Sequence, residues 1–108
     1  MINITFDPNT YTLDITGHAE HGKKGEDIVC SAISTLFYTL AESLYQSKDM
    51  LTEDFEFTDD DGNGHLSCKP KPEYEQNISL IYWTILNGFQ IVADNYKENI
   101  KFEVLVSH

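Results

Sequence analysis

The chain contains no arginine, and its seven lysines face 18 aspartates and glutamates, a formal net charge of −11 over 108 residues. Binding to DNA or RNA draws on a basic stripe that displaces counterions from phosphates, so a direct nucleic-acid role is not expected of such a surface. A basic peptide or protein is attracted instead, at a rate that falls with salt. Solubility alone is an equally plain use of the same charge.

Cysteine is scarce: Cys30 and Cys68 are the only two. Nothing at the N-terminus has the charged, apolar and small-residue order of a signal sequence, and no continuous apolar run approaches the roughly 18–20 residues of a membrane span. The expectation is a cytoplasmic protein without a membrane partner, whose thiols stay reduced and unpaired. Each cysteine is then core filler, metal ligand or nucleophile, to be judged separately.

There are three prolines and six glycines, with no low-complexity tract or long repeat to mark a linker. A hydrophobic fraction of 41% supports a packed core, and the length suits one domain over residues 1–108.

Ile2, Ile4 and Phe6 alternate with polar residues, Asp7-Pro8-Asn9 supplies a turn, and Tyr11, Leu13 and Ile15 alternate again, which predicts a hairpin. Residues 17–26 hold three glycines and no periodic apolar face, the pattern of a mobile loop. From Asp27, a good N-cap, Val29, Ile33, Leu36, Leu40 and Leu44 recur at helical spacing to about Ser47, with Phe37 and Ala41 widening the apolar face. Phe55 and Phe57, the turn signal Asp61-Gly62-Asn63-Gly64, then Leu66 and Cys68 predict a second hairpin. A second helix keeps Ile78, Ile81, Ile85, Phe89, Val92 and Tyr96 on one side, while Tyr82, Trp83 and Leu86 belong to the core or to an interface, with the core favoured. A closing strand sets Phe102, Val104 and Val106 facing one way. The order ββαββαβ predicts an α+β fold of two layers, a mainly antiparallel five-stranded sheet with two helices packed on one face.

Cys30 falls near the start of the first helix. Unpaired N–H groups and the dipole at a helix N-terminus favour a thiolate and can hold a developing oxyanion. His18, twelve residues upstream at the end of a strand, suits a base that takes the thiol proton and later returns it to a leaving amine. His21 is a rival, placed deeper in the glycine-containing loop, where fixing its geometry costs more entropy. Asp27 either orients the imidazolium or only caps the helix, and Ser34, one turn after Cys30, either faces the same pocket or bonds its own backbone. A lone cysteine on an apolar helix is also an ordinary core residue. Cys68 reads as packing filler. A zinc site drawn from His18, His21, Cys30 and Cys68 or His65 has suitable ligand types but no recognised spacing.

The run Gly17-His18-Ala19-Glu20-His21-Gly22, followed by Gly25-Glu26-Asp27-Ile28-Val29-Cys30-Ser31-Ala32-Ile33-Ser34, resembles the signature of the ribosomal-processing cysteine protease family. The likeness continues to the Asn95–Ile100 exit into the last strand, and the one departure at the signature is Ser31, where a small alanine is common. It implies a His18–Cys30 dyad supported by Gly17, Asp27 and Ser34. The flexible loop Ala19, Glu20, His21, Gly22, Lys23, Lys24, Gly25 and Glu26 would bring the dyad together only when a peptide binds. Also implied are a homodimer, no metal or other cofactor, and removal of a short N-terminal extension from a large-subunit ribosomal protein, or trimming of phage capsid and scaffold proteins. The substrate would then be a basic ribosomal precursor or a phage structural protein. Two other classes remain open: a ribosome-associated binding module without turnover, and a thiol-redox or metal protein that needs Cys68.

Overall fold

A computed structural model describes residues 1–17, 26–60 and 62–106, with Glu26 and Asp27 described by their backbone alone. Strands β1 (Ile2–Asp7) and β2 (Thr12–Thr16) precede helix α1 (Glu26–Gln46). Strands β3 (Glu56–Asp60) and β4 (Asn63–Ser67) precede helix α2 (Glu75–Asn95), and β5 (Ile100–Val104) closes the order. One-turn 3₁₀ segments, Lys48–Met50 and Pro72–Tyr74, follow α1 and precede α2. The expected element order is thus present, and α1 begins and ends within a residue of the bounds that periodicity gave it.

The strands lie side by side as β3-β4-β2-β1-β5. Three pairings are antiparallel, and β5 runs parallel to β1 with Ile2 opposite Ile100. The sheet is therefore mainly antiparallel, as expected, with one parallel pair at its β1–β5 edge. The reason for that pair is α2, which returns the chain to the end of the sheet where β4 began, so that β5 must run as β4 does. Helix α1 does the same between β2 and β3. The two crossovers travel in opposite directions from oppositely directed strands, and right-handed connections then lay both helices on one face.

That face is the core. Ile2, Ile4 and Phe6 of β1, Leu13 and Ile15 of β2 and Leu66 of β4 meet Val29, Ile33, Phe37, Leu40 and Leu44 of α1. On α2, Ile78, Tyr82, Leu86 and Phe89 are buried, and Phe6, Tyr11 and Tyr82 pack ring against ring with centroids 5.3–6.4 Å apart. Each fully buried aliphatic or aromatic side chain stabilises by about 1.5–3 kcal/mol relative to exposure. Trp83 departs from its core assignment: it is 40% exposed and only leans edge-on against Phe6. Val106 departs too, lying beyond β5 and 74% exposed, so Ile100 takes its place as the buried member of the last strand's alternation.

Gly62, at φ +85°, carries the β3–β4 turn, whereas Gly64 belongs to β4 and is a packing residue rather than part of the turn. A Cβ on Gly64 would stand 2.8 Å from the ring of Phe37, so its lack of a side chain is what lets α1 settle on the sheet. Within α1, Ile28–Gln46 is long and apolar enough to cross a membrane by length and composition, although serines and threonines interrupt its apolar residues. Its Val29, Ile33, Phe37, Leu40 and Leu44 stripe is turned onto the sheet. The sheet's other face is polar, with Asn3, Thr5, Asp14 and His65 pointing away from the helices.

Candidate active site

The residues singled out for chemistry straddle the passage from β2 to α1. Gly17 directly follows β2 at φ +96°, in the left-handed region, and a Cβ there would meet the Met1 carbonyl oxygen at 2.2 Å. Any other residue would be strained and would push the chain off the start of β1. Gly17 therefore fixes the direction in which the chain leaves the sheet towards His18. His18 itself, with Ala19, Glu20, His21, Gly22, Lys23, Lys24 and Gly25, lies outside the described residues, as does the expected separation of His18 from Cys30.

Glu26 was expected in the loop, but it opens α1, one residue before the anticipated cap. Asp27 is consequently a first-turn residue rather than the N-cap, and acidic residues suit that turn because the helix dipole is positive there. Cys30 is the fifth residue of α1, a little deeper than a cap at Asp27 implied. It sits between exposed Ile28 and Ser31 and buried Val29, and is itself half-buried against the core. The sulfur is thus at the margin of the core, near the end of α1 that follows β2.

Ser34 is exposed one turn along and borders a shallow groove of about 520 Å³ with Thr35, Tyr38, Thr39, Glu42 and Ser43. Bonding back to the helix is done by its neighbours: Thr35 Oγ1 donates to the Ser31 carbonyl at 2.8 Å and Thr39 Oγ1 to that of Thr35 at 2.6 Å.

Cys68 is 5% exposed and belongs to the core, where the Tyr82 hydroxyl donates to its Sγ at 3.5 Å. Burial pushes the Cys68 thiol up, only partly offset by that bond, and it drives the Tyr82 phenol up as well. His65 is on the opposite face of the sheet. Its Nδ1 is 2.6 Å from Asp14 Oδ1, and its Nε2 is 3.6 Å from Glu56 Oε2. Cys68 and His65, the alternative further ligands of the zinc reading, thus lie on opposite faces of the sheet, and that reading's His18 and His21 lie outside the described residues.

Sequence reasoning passed over Tyr38 and Asp59. The Tyr38 hydroxyl donates to Asp59 Oδ2 across the gap between α1 and β3, and this bond, the largest cause, raises the Tyr38 phenol above its ordinary value. The available signal was the pair Tyr38 and Tyr45, seven residues apart on α1 and outside its buried stripe.

A mixed five-stranded sheet carrying two helices, with a half-buried cysteine in the second turn of the helix after β2, is an architecture shared with a class of small cysteine peptidases. The family model described as cysteine protease Prp matches residues 1–101, and the chain belongs to that family. The ribosomal processing cysteine protease Prp of Staphylococcus aureus is 28% identical over 102 residues, covering 93% of each chain. The crystal structure of the essential ribosomal processing protease Prp from S. aureus with a covalently linked product peptide has a TM-score of 0.75 at 24% identity, covering 97% of this chain and all of that one. The same protease in complex with a substrate peptide has a TM-score of 0.69 at 25% identity, covering 96% and 97%. As a member of this family the chain is a cysteine protease.

Proposed function

We propose that this protease removes a short N-terminal extension from a bacterial large-subunit ribosomal protein precursor, with Cys30 as nucleophile and His18 as general base. One observation carries the assignment of the nucleophile. A cysteine protease needs a thiol that can reach a peptide carbonyl as thiolate, and the chain has two cysteines. Cys68 is sealed in the core beside Tyr82 with its ionisation disfavoured, while Cys30 stands at the core's margin near the start of α1. The choice of His18 over His21 rests on the Gly-His signature and on the tight anchorage of Gly17 against Met1 immediately before it.

In the mechanism that follows, His18 takes the Cys30 proton and the thiolate attacks the scissile carbonyl carbon. The tetrahedral oxyanion is held by backbone N–H groups near the start of α1. Collapse breaks the C–N bond, the imidazolium gives its proton to the departing amine, and a thioester remains on Cys30. Water, deprotonated by His18, hydrolyses the thioester and restores the thiol. Asp27 orients the imidazolium and Ser34 faces the entering peptide. The basic character of ribosomal proteins complements a chain of net charge −11, and the relatives named for ribosomal processing support the substrate class. A cytoplasmic homodimer is part of the same proposal, supported by an uncharged patch on α1 and α2 where Ala32, Leu36, Ile91 and Val92 adjoin Gly88.

The test is cleavage of a peptide spanning the extension of the source organism's own ribosomal precursor by wild type, Cys30→Ala and His18→Ala. Specific cutting by the wild type and loss of at least about 10³-fold in both variants is the expected result. Cutting that survives Cys30→Ala would overturn the dyad.

A further inference from the structure

We infer that the groove between α1 and the edge strand β3 is a docking site for an extended basic peptide segment, which adds a strand to β3 and seats a large apolar side chain among Tyr38, Tyr45, Phe55 and Phe57. Three observations converge on it. The groove, about 490 Å³ in volume, has Tyr38, Ala41 and Tyr45 of α1 on one side and Phe55 and Phe57 on the other, and it continues past Tyr38 into the groove beside Ser34. Tyr38 and Tyr45 are 49% and 55% exposed, an unusual placing for two aromatic rings on one helix flank. Tyr38 is held in position by its bond to Asp59 and by packing on Phe37 and Phe57, so the wall is preformed.

The second observation is the edge itself. Among the described residues β3 has β4 as its single neighbour, and its sequence Glu-Phe-Thr-Asp-Asp lacks the lysine or proline with which edges are commonly blunted. Strand addition to such an edge draws affinity from main-chain hydrogen bonds and selectivity from pockets for alternate side chains. The third observation is charge. Glu42 lines the groove, Asp59 faces it through Tyr38, and Asp54 precedes Phe55. A second copy of this acidic strand would bring carboxylates against carboxylates, whereas a lysine-rich strand is attracted. Lys48 Nζ rests 5.0 Å from the Tyr45 ring centroid, an example within the chain of the cation–π contact that a peptide lysine would make there.

This reading does not depend on the dyad or on the ribosomal precursor, because binding is measured without turnover. The probe is a capped pentapeptide alternating lysine and phenylalanine, titrated into the ¹⁵N-labelled full chain, beside lysine–alanine, glutamate–phenylalanine and backbone N-methylated versions. Amide shifts should centre on residues 55–60. Binding should weaken about tenfold, equal to 1.4 kcal/mol, with Tyr45→Ala or Glu42→Lys. It should weaken similarly with the alanine or N-methylated peptide, and be lost with the glutamate peptide. Both substituted side chains are exposed, and an unchanged spectrum elsewhere verifies the fold. The inference is overturned if the alanine peptide binds equally, if shifts centre on another surface, if nothing binds at millimolar peptide, or if the β3 amides move with protein concentration alone.

Discussion

The hydroxyl of Tyr82 lies 3.5 Å from the sulfur of Cys68 inside the core, so the two cysteines of this chain occupy opposite environments. Cys68 is shut away from reagents with its thiol pKa raised by burial, while Cys30 is partly open. Iodoacetamide at neutral pH should therefore alkylate Cys30 and leave Cys68 unmodified until the protein unfolds, as read by peptide mass spectrometry. Cys68→Ala should keep cleavage within about twofold while lowering stability by about 1–2 kcal/mol for the lost packing and the unpaired Tyr82 hydroxyl. Rapid alkylation of Cys68 in the folded protein would contradict this.

Gly17 couples the start of β1 to the chain leading to His18. Gly17→Ala sets a methyl group 2.2 Å from the Met1 carbonyl oxygen at a φ that alanine rarely adopts. The substitution should cost about 1–3 kcal/mol of stability and, by redirecting the next residue, reduce turnover more than substrate affinity. A thermal melt and a separation of kcat from KM check both parts. A variant as stable and as active as the wild type would show that the anchorage does not matter.

On the solvent face of the sheet, His65 bridges Asp14 of β2 and Glu56 of β3. The hydrogen bond to Asp14 is the largest cause that raises its pKa above 6.5, with burial opposing it and Glu56 assisting. A histidine whose folded pKa is raised stabilises the fold while protonated, so the contribution is complete below about pH 6.5 and disappears as pH rises through the raised value. The His65 side chain is 38% exposed, and solvent screening limits the effect to about half a kcal/mol. Melting temperatures of wild type and Asp14→Asn, measured from pH 5 to 9, should differ most at the acid end and converge above the His65 titration. A difference that grows with pH would reverse the assignment.

Much of the architecture is legible in the residues because period and burial are local consequences of side-chain chemistry. The alternation Ile2, Ile4, Phe6 and the helical spacing from Val29 to Leu44 name their elements and buried faces directly. Gly17-His18 and the Asp27–Cys30 run carry the family's signature in the sequence itself, and the family match across residues 1–101 agrees. Two of the misassignments are ones that no local rule governs. Trp83 follows a buried tyrosine on α2, yet only the position of Phe6 decides how far its ring is covered. Gly64 looks like half of a turn until the ring of Phe37 is seen against it.

What the sequence determined by itself is the order of elements, the apolar faces, the acidic charge and the identity of the two thiols, all of which follow from single residues and their near neighbours. Only the tertiary structure decided that β5 joins β1 in parallel, that Cys68 lies within reach of Tyr82, and that Tyr38 meets Asp59 beside an open edge strand. Those three relationships join residues 98, 14 and 21 positions apart in the chain. Contacts at such separations depend on how α1 and α2 cross the sheet, and that is set by the packing of the whole core rather than by the residues at either end.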